Sequence, residues 1–123
     1  MSNLPELLYR VRQELGASFI STSIVDGDGM AIAGDSISPT FDTSAVSARF
    51  AMVMKLGNKI GHKLNLGPVE DNLVVTTHVF VLSRFLGDGS YYWNLVVTKE
   101  ATLGHARILM DEYAGQLWAA IPR

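Results

Sequence analysis

The sequence predicts an α+β fold with the element order α-β-β-α-β-β-β-α. Three observations carry this. Apolar residues recur at helical spacing near both ends and once in the middle; the segments between them are rich in β-branched and aromatic residues; and Asp-Gly pairs stand where a strand must turn back on the next. Residues 1–123 are expected to form one domain, because a chain of this length buries roughly two thirds of the surface its unfolded form exposes.

The elements follow in order. Leu4, Leu7, Leu8, Val11 and Leu15 trace one helical stripe, with Asn3 placed to cap it, Pro5 in its first turn and Gly16 to end it. "ASFISTSIV" runs into "DGDG" and then "MAIAG", which reads as strand, tight turn, strand. A loop holding Pro39 leads to Asp42, a good N-cap, and to a long helix over about residues 43–65, closed by Gly67 and Pro68. Residues 69–98 divide into strands near 69–76, 79–86 and 90–98, with "GDGS" as the turn before the last. The turn at "TTH" contains neither Gly nor Asn, so one long bent strand is the competing reading. Leu103, Ala106, Met110, Ala114, Leu117 and Ile121 mark the final helix, with Glu100 near its N-terminus, where a negative charge suits the dipole.

Composition excludes several function classes. Net charge is −2, from 10 basic and 12 acidic residues, so nothing marks a nucleic-acid or anionic-membrane surface. The absence of cysteine removes disulfides, thiolate zinc sites and cysteine nucleophiles. The start "MSNLPELLYR" lacks a basic segment followed by an apolar one, and a cytoplasmic protein with nothing to remove is expected. Hydrophobic residues make up 48%, as in a globular domain, and the slightly positive mean hydropathy points to more apolar surface than a small monomer needs, some of it covered by a partner.

Both Asp-Gly loops read as corners. A calcium loop needs oxygen ligands over about twelve residues ending in a bidentate acid, whereas "DGDGMAIAG" passes straight into apolar strand. A phosphate loop needs fuller glycine spacing and a Lys followed by Ser or Thr, which is lacking. His62, His78 and His105 fall on different elements without metal-ligand spacing, and no Gly-x-Ser-x-Gly elbow is present. No catalytic, cofactor-binding or metal residues are assigned, and the chain is expected not to be an enzyme.

The second helix is the informative element. At 100° per residue, Val46, Phe50, Val53, Met54, Leu56, Gly57, Ile60, Gly61 and Leu64 span an arc of about 160°, against the roughly 100° that a helix on one sheet requires. Ser47, Lys55, Asn58, Lys59, His62 and Lys63 fall opposite. Gly57 and Gly61 each cost helix propensity, which is tolerable where another backbone must come close, and Arg49 lies within the arc as an interface anchor; the competing reading is that the glycines fit a crowded core and Arg49 snorkels at the rim. "NLVVTT" then offers a strand edge with little charge and no Pro. The expected homodimer interface is therefore Val46, Arg49, Phe50, Val53, Met54, Gly57, Ile60 and Gly61 on the helix, with Leu73, Val74 and Val75 on the strand, paired about a twofold axis.

Residues 4–121 as a whole resemble the Roadblock / dynein light chain family. "IVDGDGMAIA" matches its strand-turn-strand hairpin, "FLGDGSYYWNLVV" its turn before the last strand, and "TKEATLGHAR" the start of its last helix. Thr102 stands where the family often has Asn, and the Gly-containing turn near 76–78 is missing. The resemblance implies a five-stranded antiparallel sheet, with the second helix on one face and the first and last helices on the other. It also implies a homodimer through second helices and third strands, and a prokaryotic stand-alone regulator or scaffold of a small Ras-like GTPase. Some such proteins act as GTPase-activating partners without an arginine finger, while eukaryotic relatives scaffold GTPases or dynein. A small-molecule sensor domain is the second hypothesis, and a hydrolase or metal enzyme ranks last.

Overall fold

A computed structural model describes residues 3–122. The first helix, α1 (Leu4–Leu15), is capped by Asn3, whose side chain accepts the Glu6 N–H at 3.0 Å, and it buries the predicted stripe of Leu4, Leu7, Leu8, Val11 and Leu15. A short 3₁₀ turn over Gly16–Ser18 takes up the start of the predicted first strand, so β1 runs Phe19–Val25. The remaining elements are β2 (Ala31–Ser36), α2 (Thr43–Lys63), β3 (Asp71–Val75), β4 (Val79–Leu86), β5 (Tyr91–Thr98) and α3 (Leu103–Ala120). All neighbouring strands are antiparallel, in the spatial order β2-β1-β5-β4-β3, which leaves β2 and β3 as edges.

The "TTH" segment is a turn, so the bent-strand alternative is set aside. Thr76 takes the role expected of Asn or Gly: its hydroxyl oxygen accepts the N–H groups of His78 and Val79 at 3.1 and 3.0 Å. In the first Asp-Gly turn, Asp26 Oδ1 accepts the N–H of Asp28 and of Met30, and Gly29 takes φ +86°. In the second, Asp88 Oδ1 accepts the N–H and the hydroxyl of Ser90. Both loops turn these carboxylates onto their own residues, as corners do.

The two faces of the sheet differ in chemistry. On one face α1 and α3 close over Phe19, Ile24, Leu82, Leu86, Trp93, Leu95 and Val97, the main apolar core. Trp93 is fully buried there and its indole N–H donates to Thr22 Oγ1 at 2.7 Å. On the other face the strands present Ser21, Ser23, Ser83 and Asn94, all buried. Asn94 Nδ2 donates to Ser83 Oγ at 3.0 Å, and Ser23 and Ser47 share a hydrogen bond of 2.7 Å. The helix on this side, α2, meets this face with Ser47, Ala51, Met54 and Gly61, and beside the polar residues the face carries buried Val25, Val81, Tyr92 and Val96, with Phe85 half-buried.

Candidate interaction surface

Asp42 starts α2 by accepting the Ala45 N–H at 3.0 Å. The helix turns Ser47, Ala51, Met54 and Gly61 toward a sheet face that mixes buried polar and apolar residues, and this corrects three expectations. Ser47 lies against the sheet, not on the solvated side, held by Ser23 and by its own bond to the Thr43 carbonyl at 2.7 Å. Met54, only 1% exposed, packs into the domain interior rather than onto the outer flank where the arc placed it. Gly61 is buried for a local reason: a Cβ there would meet the Gly67 carbonyl oxygen at 3.0 Å, so the glycine serves the return of the chain toward β3.

The rest of the predicted apolar arc falls on the flank and outer side of α2. Val46, Phe50 and Gly57 are half-buried, while Val53 and Arg49 are exposed. Leu56, Ile60 and Leu64 are 59%, 45% and 62% exposed, large values for aliphatic side chains in succession along one helix. A Cβ added at Gly57 would meet nothing within 4 Å, so no neighbour in this chain accounts for that glycine. Arg49 makes no ion pair or side-chain hydrogen bond with the described residues.

At the sheet edge, β3 adds a second unpartnered surface. The Thr76 N–H donates to the Val79 carbonyl and the Phe85 N–H to the Glu70 carbonyl. With the register Asp71↔Arg84 to Val75↔Phe80, this turns the backbone groups of Asn72 and Val74 toward β4 and those of Asp71, Leu73 and Val75 away from the sheet. Among the described residues no hydrogen bond reaches the outward backbone groups of Asp71, Leu73 and Val75. Leu73 and Val74 are half-buried and Val75 is 54% exposed.

His62, His78 and His105 all lie outside the core, and among the described residues no three His, Cys, Asp or Glu side chains stand together to hold a metal. Tyr92 and Tyr113 both have their pKa raised, first by burial and next by a carboxylate, Asp26 for the former and a Glu14 hydrogen bond for the latter. Both shifts lead away from neutrality, so neither phenol is poised for proton transfer. A cleft of about 500 Å³ opens between the α2–β3 loop, the Gly87–Gly89 turn and α3, with Arg84 held inside it by Asp111 at 2.6 Å. Among the described residues no helix is long and apolar enough to cross a membrane.

No family model matches the sequence, and no curated protein does either. The likeness is visible in three dimensions. A Roadblock/LC7 domain from Streptomyces avermitilis superposes with a TM-score of 0.83 at 17% identity, over 94% of this chain and 95% of that one. MglB of Myxococcus xanthus gives 0.84 at 12% identity, over 94% and 92%. The gliding protein MglB of Thermus thermophilus gives 0.82 at 14% identity, over 98% and 93%. The topology, the placement of α2 opposite α1 and α3, and these superpositions along nearly the whole chain establish that the protein has the Roadblock/LC7 fold.

Proposed function

We propose that this protein is a homodimeric, non-catalytic regulator or scaffold that binds a small Ras-like GTPase in the cytoplasm. The observation that carries the reading is the coincidence of an exposed apolar flank on α2 with a bare strand edge at β3. A second copy related by a twofold axis would cover both, helix against helix and strand against strand. Val46, Arg49, Phe50, Val53, Gly57 and Ile60 supply the helical part, and Leu73, Val74 and Val75 the strand. Met54 and Gly61 drop out of that set because they serve the interior.

The GTPase partner rests on fold: two neighbours are MglB proteins, that of Thermus thermophilus a gliding protein, and the stand-alone prokaryotic type that the sequence resembles regulates small Ras-like GTPases. The charge on α2 fits a protein partner. The helix carries Arg49, Lys55, Lys59 and Lys63 and no acidic residue, although the whole chain has a net charge of −2. Any effect on nucleotide turnover would come from tighter binding to one switch conformation of the GTPase. The test is capture from native lysate on the purified protein with excess GDP or a non-hydrolysable GTP analogue, read by mass spectrometry. A small GTPase retained in one nucleotide state and lost in the other is the expected result. Capture of no GTPase in either state would overturn the reading.

A further inference from the structure

The sheet has two edges, and they are treated differently. At β3 the outward backbone groups of Asp71, Leu73 and Val75 are bare. At β2 they are not. The Ile37 N–H donates to the Ile20 carbonyl, and the register then runs Thr22↔Asp35 and Ile24↔Ala33, so the backbone of Gly34 and Ser36 points away from β1. Ser36 is occupied on both of its outward groups. Its N–H donates to Asp35 Oδ1 at 2.9 Å, and its carbonyl accepts from Arg12 Nη1 at 3.2 Å. The same Arg12 nitrogen donates to Asp35 Oδ1 at 3.0 Å, so one ion pair closes the unit.

Arg12 comes from α1, 23 residues before its partner, and reaches round the edge with its guanidinium 5.4 Å from the centre of the Phe19 ring. Asp35 Oδ2 is shielded from solvent and has no other partner, so the carboxylate depends on what Arg12 and the Ser36 N–H provide at Oδ1. At the other end of β2 the register jumps from Ile24↔Ala33 to Val25↔Ala31, leaving Ile32 as a bulge that breaks the ladder. Between bulge and clamp only Gly34 keeps free outward groups. One residue is too few to seed an added strand.

We propose that Arg12 and Asp35 form an edge guard that closes β2 to strand addition, so that a second copy of this chain can add only at β3. Without the guard, a dimer paired at β3 would leave a β2 edge free at each end, and end-to-end growth of dimers through β2 would become possible. With it, association ends at one closed contact. This inference leans on the proposed dimer only in naming where association is left to go; the closure of β2 stands on its own geometry.

The test compares the wild type with Arg12→Ala and with Asp35→Ala by light scattering over a range of concentrations, alongside circular dichroism. Wild type should reach a mass that no longer rises with concentration, whereas both variants should go on growing to at least about twice that mass. Adding Ile32→Lys to Arg12→Ala, which puts a charge on the exposed bulge, should restore the wild-type ceiling. Folded variants that keep the wild-type mass throughout would overturn the proposal. A monomeric wild type would instead count against the dimer, and is read separately from the difference between variant and wild type. Should a variant fail to fold, hydrogen exchange on the wild type decides: the Ser36 amide should exchange well below the Gly34 amide, and equal rates would overturn the guard.

Discussion

Val53→Glu is expected to convert the proposed homodimer to a monomer while leaving the fold intact. Val53 is 37% exposed on the flank of α2 and contributes little to the domain's own core, so the monomer tolerates the carboxylate. Against a second helix the same carboxylate would lose its water, and Arg49, one turn earlier on α2, offsets only part of that cost. Burying the charge in this way should weaken association by about 3 kcal/mol, roughly a hundredfold in Kd. Gly57→Leu separates the two bodies further. Nothing in this chain lies within 4 Å of the added Cβ, and leucine is the better helix former, so the monomer should be unharmed or slightly stabilised. Only a neighbouring backbone would object. Light scattering should report about 13.4 kDa for both variants and twice that for the wild type. Both variants remaining at the doubled mass would show that the flank of α2 is not the interface.

The largest effect on stability is expected from Gly87→Ala. Gly87 has φ +55°, which is costly for alanine, and the place its Cβ would take is already filled by the Trp118 indole. That ring cannot simply step aside, because it leans on Tyr91 with centroids 6.4 Å apart. Backbone strain and overpacking together should cost about 2–4 kcal/mol. Urea denaturation followed by circular dichroism measures it, and a stability within about 0.5 kcal/mol of the wild type, the range of ordinary surface substitutions, would contradict the packing described for this turn.

What the sequence makes legible depends on whether the signal is local. Asn3, Asp42 and the two Asp-Gly turns announce themselves because cap and turn chemistry is settled within a few residues, and each makes the expected bond. Thr76 is harder to see, since a hydroxyl accepting two turn N–H groups leaves no Gly or Asn to notice. The inward side of α2 is misread from periodicity, because an apolar arc is assumed to face the sheet. The correcting signal lies in the strands. Ser21 and Ser23 in β1, Ser83 in β4 and Asn94 in β5 supply the buried polar residues beneath the helix, and a helix lying on such a face accommodates small or polar residues such as Ser47 and Ala51. The Arg12–Asp35 clamp has no sequence signal, since nothing local links residues 23 apart on a helix and a strand.

The sharpest test of self-association is amide hydrogen exchange at β3, measured at a concentration where light scattering shows the larger species. Within one chain the Asn72 and Val74 amides bond to β4, whereas those of Leu73 and Val75 point outward and are bare. Pairing of β3 with β3 of a second copy predicts that all four amides exchange slowly. Rapid exchange at Leu73 and Val75 beside protected Asn72 and Val74 would contradict it, and the strand edge would have to be given to some other partner.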